Sequence, residues 1–318
     1  MPLRGERVLV TGVAGRIGRA IGQRLAGQAR IVGIDRLASR WTTHRADLGD
    51  PGLPLERWLE GCSAVIHVAA LHAPHVGVAS DDDFERVNVR ATRRLAEAAA
   101  AAGVSRFVFT STTALFGTDP GVGDGARAAA PGARWIDETS APRPRTVYHR
   151  SKLVAEQLLA EVAGQRGLVV TVLRMSRCFP EPADRMAVYR LHRGVDARDV
   201  AQAHALSLDG GTPGTVRMFV VSAPTPFDRS DLDGLARDAP RVLARRASSL
   251  VQEFNRRGWT LPATIDRVYD ARRAIDELGW RPRYGFEAVL QQADAGDPEV
   301  LPVAPSTAAR TVDPCESP

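Results

Sequence analysis

Two patterns in this 318-residue chain have residue types and spacings that could do chemistry. The first is Tyr148-His149-Arg150-Ser151-Lys152. Residues four apart share one face of a helix, so the phenol and the amine would lie side by side. Free tyrosine, with a pKa of about 10, is a poor base at neutral pH. A unit positive charge about 4 Å away, at an effective dielectric near 20, is worth roughly 4 kcal/mol, or about three pK units. The pairing therefore predicts a phenol brought toward neutrality, where acid–base catalysis works best. Lys152 is the only lysine against 41 arginines, which suggests a position that needs an amine rather than a guanidinium. The plainer alternative is a tyrosine packed on a lysine stem.

The second pattern is Val10-Thr11-Gly12-Val13-Ala14-Gly15-Arg16-Ile17-Gly18, placed between an apolar strand signal and a helix signal. Gly12, Gly15 and Gly18 let the backbone turn sharply and approach a pyrophosphate, which then rests on the helix N-terminus beside Arg16 and Ile17. Asp35 follows Gly12 by 23 residues, near the spacing of about 20 expected for an acid that binds a ribose. A carboxylate there favours the free 2′-hydroxyl of NAD over the phosphate of NADP. Arg36 and Arg16 keep NADP as the alternative. A third signal is Thr110-Ser111-Thr112-Thr113 at the end of an apolar strand, where hydroxyls either face a ligand crevice or merely cap the next segment.

Elements that could position these groups alternate through the first half. Strand signals fall at residues 7–10, 30–34, 64–69, 106–110 and 168–174, and helix signals at 16–28, 81–102 and 148–165. Strands separated by helices of this length form βαβ units in a parallel sheet. The expected fold is α/β, a doubly wound (Rossmann) sheet with a smaller C-terminal substrate domain. Residues 1–175, with 195–223 returning to them, would bind dinucleotide. Residues 176–194 and 224–297 would form the substrate domain, 118–134 a mobile loop, and 298–318 a disordered tail.

The composition, 44% hydrophobic and 25% charged, excludes disorder as the main state. Three well-separated cysteines, with no C-x-x-C pair, give no disulfide or metal framework and fit reducing cytosol. No apolar run is long enough to span a membrane or serve as a signal peptide, so a cytoplasmic location is expected. The net charge of +5 is carried by scattered arginines with few aromatics, which argues against nucleic acid and suits a small anionic ligand.

In order along the chain, Thr11-Gly-x-x-Gly-x-x-Gly18, Asp35, Asp47-Leu48, His67-Val68-Ala69-Ala70, Val87-Asn88-Val89-Arg90-Ala91-Thr92, the Thr/Ser strand end and Tyr148-x-x-x-Lys152 resemble the extended short-chain dehydrogenase/reductases. The closer likeness is to their NAD-dependent epimerase/dehydratase branch, UDP-glucose 4-epimerase-like, across residues 5–292. The resemblance implies Tyr148 as base, Thr112 on the substrate hydroxyl, and Lys152 on both the nicotinamide ribose and the phenolate. It also implies Asp47 and Leu48 beside adenine, with Ala69, Ala70, Asn88 and Thr110 bordering the cofactor. A homodimer through helices 81–102 and 148–165 follows from the same likeness.

The chain also departs from the branch. Dehydratases there carry an acidic pair after the threonine, whereas this chain has Thr113 and Ala114, so elimination is disfavoured. The segment Arg174-Met175-Ser176-Arg177-Cys178-Phe179-Pro180-Glu181 replaces the branch's usual substrate-contacting sequence. His72, Thr113, Arg177 and Arg267 are candidate substrate contacts, as are His75 and Arg198, and Cys178 suits a buried filler. The expected activity is NAD-dependent epimerisation of a sugar, in the form of a sugar nucleotide, by transient hydride transfer at a carbinol carbon. The alternatives are a dehydrogenase or reductase of a non-sugar alcohol or ketone, and a non-catalytic NAD(P)-binding redox sensor.

Overall fold

The computed structural model describes residues 5–117 and 132–303. The chain begins with β1 (Arg7–Thr11), α1 (Arg16–Leu25), β2 (Arg30–Asp35), β3 (His44–Arg45), α2 (Leu55–Leu59) and β4 (Cys62–His67). There follow α3 (Asp81–Phe84), a π-helical turn over Glu85–Arg90, α4 (Ala91–Ala101), β5 (Arg106–Thr112), β6 (Arg134–Ile136), α5 (Val147–Arg166) and β7 (Val169–Met175). The C-terminal part contains α6 (Ala183–His192), α7 (Ala197–Leu206), β8 (Val216–Val221), α8 (Leu232–Arg237), α9 (Ala239–Arg246) and α10 (Ser248–Arg257). It closes with β9 (Arg267–Tyr269), α11 (Arg272–Leu278) and α12 (Phe286–Asp294).

Seven parallel strands in the order β3-β2-β1-β4-β5-β7-β8 form the main sheet, as the alternating signals predict. Because successive side chains point to opposite faces, each strand feeds two cores. Leu9, Val65, Phe107, Phe109, Val170 and Val172 pack on one side with α4 and α5 residues such as Leu95 and Leu159. Val8, Val10, Ile66, Val108 and Leu173 pack on the other with Ile21, Val200 and the fully buried Trp280. Strands buried on both faces read as near-continuous apolar runs, which is why they stand out in the sequence. The order in which strands are added reverses between β1 and β4, so a crevice opens beyond their C-terminal ends.

A separate cluster joins α6, α8, α9, α10 and α12 through Met186, Leu235, Leu243, Phe254 and Phe286. β6 and β9 form a small parallel pair that ties this lobe to the region beyond β5.

Two expectations are corrected here. Residues 298–303 do not form a tail: Val300 is buried in the third cluster, Leu301 exchanges backbone hydrogen bonds with Glu181 and Ala183, and Glu299 pairs with Arg16. Composition rich in Pro and Val concealed an extended segment that pairs with its neighbour. Residues 304–318 lie outside the described residues, as do 118–131 of the loop. The helix expected over 81–102 is likewise not uniform, because the π turn widens it around Asn88.

Candidate active site

The glycine loop sits where the first strand meets the first helix. Gly12 has φ +72°, and a Cβ there would lie 2.8 Å from the Ala69 nitrogen, so only glycine fits. A Cβ on Gly18 would fall 2.0 Å from the Gly12 carbonyl oxygen, so the helix can press on the loop only without a side chain. Gly15 is the N-cap of α1 and offers no side-chain cap. The first-turn N–H groups are therefore free to face an anion at the positive end of the helix. Asp35, at the end of β2, accepts hydrogen bonds from the backbone nitrogens of Ala14 (2.9 Å) and Leu37 (2.9 Å), which fixes its carboxylate beside the loop. Arg36 is exposed, and its carbonyl accepts from Arg45. This bare-backbone cradle with an acid at its edge fits a dinucleotide carrying a free ribose hydroxyl.

A chain of neutral hydrogen bonds braces the crevice floor. The Thr92 hydroxyl donates to the Asn88 carbonyl (2.7 Å) and so accepts from His67 Nε2 (2.9 Å). The Thr11 hydroxyl accepts from the Val68 and Ala69 nitrogens (3.1 Å each), which leaves its proton for His67 Nδ1 (2.7 Å). Each donor is thus assigned, and His67 carries its proton on Nε2. Complete burial pushes the His67 pKa down to about 3, in keeping with a neutral ring. Asn88 accepts from the Leu71 nitrogen and donates to the Leu71 carbonyl and the Ser151 hydroxyl (2.8, 2.8 and 2.9 Å). The π turn places that amide where it clamps the segment after β4 onto α5, a common use of such turns at functional sites.

The strand-end hydroxyls do not act alike. Thr110 Oγ1 donates to His204 Nε2 (2.7 Å), because the other ring nitrogen donates to the Val200 carbonyl (2.8 Å). The Thr112 hydroxyl accepts from the Ala114 nitrogen (3.0 Å) and lies near enough to Tyr148 to favour its phenolate slightly. Thr113 is buried, and its carbonyl accepts from Tyr269. Tyr148 and Lys152 are both buried on α5, which starts from a Thr146 cap.

The expected acidic phenol is corrected by this geometry. Burial pushes the Tyr148 pKa up to about 12, only partly opposed by the nearby Thr112 hydroxyl. Burial also pushes Lys152 down to about 7, and its amine donates to the Thr110 carbonyl (2.7 Å) and lies 4.4 Å from the Phe109 ring centre. A permanent ammonium in a half-wet site would acidify the phenol. In a dry site the lysine's own charge is costly, so the chain alone leaves the phenol protonated.

Several candidates are already occupied by protein partners. Arg267 is buried and donates to Asp266 (2.5 Å) and to the Gly117 carbonyl (2.5 Å). Arg177 pairs with Glu181, and Arg198 with Asp196 (2.8 Å). Arg16 is held by Glu299, and Asp47 by Arg86 (3.2 Å). Leu48 is buried in the first core. Ala69 and Ala70 stay half-buried along the crevice. His72 stacks on Phe179, with ring centres 5.7 Å apart, and meets His75 edge-on at 4.6 Å. Burial is the main cause that lowers its pKa, helped by the neighbouring His75 and then by the positive charge of Lys152. Cys178 is buried, and its thiol is pushed up to about 11. Among the described residues no group of His, Cys, Asp and Glu could hold a metal, and no helix is long and apolar enough to cross a membrane.

Sequence reasoning missed Glu156 and Arg174, a buried ion pair beside Lys152, with Nη2···Oε2 2.7 Å. The i, i+4 spacing of Lys152 and Glu156 was the available signal.

Comparison with known proteins fits this geometry. Residues 8–191 match the model of the NAD dependent epimerase/dehydratase family. A dTDP-glucose 4,6-dehydratase of Streptomyces antibioticus is 28% identical, covering 79% of this chain and 74% of its own length. A UDP-glucose 4-epimerase of Rhizobium leguminosarum bv. trifolii is 33% identical over 54% of this chain and 52% of its own length. The structure of MoeE5 in complex with UDP-glucose and NAD superposes with TM-score 0.63 at 26% identity, covering 91% of this chain and 98% of that one.

Proposed function

This chain belongs to the NAD-dependent epimerase/dehydratase family and is an NAD-dependent enzyme of the extended short-chain dehydrogenase/reductase type; from that premise we propose that it epimerises a sugar nucleotide at a carbinol carbon. The observation that carries the reading is Tyr148 and Lys152 buried one turn apart on α5 with Thr112 close to the phenol, and Thr113 and Ala114 where an acidic pair would serve elimination. Tyr148 takes the proton of the substrate hydroxyl, Thr112 orients that hydroxyl, and Lys152, when protonated, holds the phenolate. The chemistry NAD supplies when bound is reversible hydride acceptance at that carbon. Its pyrophosphate suits the Gly12–Gly18 loop, its ribose Asp35, and its nicotinamide end the Lys152 side, with Ala69, Ala70 and Asn88 along the wall. The positive charge of an oxidised nicotinamide favours the phenolate that burial disfavours.

In this reading the lobe built from 176–194 and 224–297 holds the substrate, and His72 and Arg177 border it. Two copies pair through the α4 and α5 faces, where Val154 is 42% exposed. A monomeric mass at micromolar concentration would count against the pairing. The second reading, oxidation of a non-sugar alcohol, is favoured by one feature: the Phe179 ring, 38% exposed and stacked on His72, gives the cleft an apolar wall.

Incubation with UDP-hexoses and NAD separates the readings. Epimerisation gives an isomeric nucleotide of equal mass without accumulation of NADH. Stoichiometric NADH would replace it with a dehydrogenase, and NAD binding without turnover of any alcohol would leave a sensor.

A further inference from the structure

Lys152 is the one side-chain cation other than histidine that can lose its charge within a usable pH range, because every remaining basic residue is arginine. What faces it is therefore decisive. From β4 comes His67, held neutral; from the segment after β4, His72; from its own helix, Tyr148 one turn back and Glu156 one turn on. From β5 comes the Thr110 carbonyl, and from β7 Arg174, paired with Glu156. Glu156 is the anion of this set.

That carboxylate is held with unusual completeness. Its side chain is 4% exposed and accepts from Arg174 Nε (3.1 Å) and Nη2 (2.7 Å) and from the Ser111 hydroxyl (2.5 Å). Ser111 and Arg174 are register partners on β5 and β7, and Ser111 follows Thr110, whose carbonyl holds the amine. One strand thus fixes the amine and the carboxylate together. A pair of well-packed apolar residues would anchor α5 to the sheet as well as a buried ion pair does, since desolvation offsets most of the attraction. An apolar pair could not impose a negative field on the neighbouring amine.

We infer that Glu156, locked by Arg174 and Ser111, is a positioning residue that keeps Lys152 protonated in the range where the enzyme works; this rests on the role given to Lys152 above. Among the described residues Glu156 is the charge that raises the affinity of that amine for its proton. The field of Glu156 is partly cancelled by Arg174, to which it is paired.

The single lysine makes the test direct. Full-length protein labelled with lysine carbon-13 at the ε position gives one side-chain resonance, whose titration reads Lys152 with neither substrate nor cofactor. In Glu156→Gln the midpoint should fall by about one pH unit, the size expected for loss of a partly compensated charge several Å away. The limb of the activity profile governed by the lysine should move with it, while KM changes little. A midpoint within about 0.3 unit of the parent overturns the inference, even if thermal stability drops, because a structural role alone moves only the stability. If the single variant does not fold, Glu156→Gln combined with Arg174→Gln removes both charges. Its midpoint should lie below that of the parent, and equality again overturns the inference. A shifted amine in a protein without epimerase activity would sink the functional reading and leave this one standing.

Discussion

Three histidines are locked in the dry interior as neutral rings, and this predicts a steep loss of stability in mild acid. Burial depresses the pKa of His67 and His192 to about 3 and of His204 to about 4. In the unfolded chain each returns to about 6.5, so between roughly pH 4 and 6.5 the unfolded state binds more protons. The stabilisation is therefore fully present above the unfolded value and is lost as pH falls below it. At pH 5 each ring lies about 1.5 units below its unfolded pKa, worth about 2 kcal/mol, or about 6 kcal/mol for the three. A domain's whole stability is about 5–15 kcal/mol, so the fold should be close to failing. Urea unfolding followed by tryptophan fluorescence at pH 7.5, 6, 5.5 and 5 checks this. The slope should approach about 4 kcal/mol per pH unit near pH 5. His204→Gln, whose amide can still accept from Thr110 and donate to Val200, should lower that slope by about one third. A total loss below about 2 kcal/mol between pH 7.5 and 5, or an unchanged slope in the variant, would refute the assignment of neutral buried rings.

Tyr148→Phe should lower kcat by about a thousandfold, the usual scale for removing an acid–base group, with NAD affinity within a few-fold of the parent by calorimetry; retained turnover would exclude the phenol as the base. Gly18→Ala brings a methyl to 2.0 Å from the Gly12 carbonyl oxygen, so melting should reveal a loss of about 1–3 kcal/mol and NAD titration a failure to bind. Asp35→Ala deprives the Ala14 and Leu37 nitrogens of their acceptor, and NAD affinity should fall tenfold or more, since hydrogen bonds to charged groups are worth about 1.5–3 kcal/mol.

How far the sequence carried the structure depended on the range of the forces. Apolar runs such as Val8–Val10 and Phe107–Phe109 betray doubly covered strands because local composition reflects burial on two faces. The glycine loop is legible because Gly12 and Gly18 each meet a steric demand no other residue satisfies. Tyr148 and Lys152 are legible as neighbours, but their proton affinities are not, because these depend on desolvation by strands distant in sequence. The arginines show the same limit: Arg267 is spent on Asp266 and Gly117, and Arg16 on Glu299. Val300 entered the third core although its neighbours read as a tail, since nothing local announces a groove made by α6 and α12.

The π turn at Glu85–Arg90 has a consequence for anyone trimming this helix. Such a turn accommodates one residue more than a regular α turn, and the surplus falls beside Asn88, whose amide holds the Leu71 backbone. Deleting a single position within 85–90 would regularise the backbone and leave the flanking helical segments facing as before, because the residue removed is the surplus one. What would be lost is the widening that brings the Asn88 amide to Leu71 and Ser151, so the interior would stay sealed while the wall of the crevice loosened.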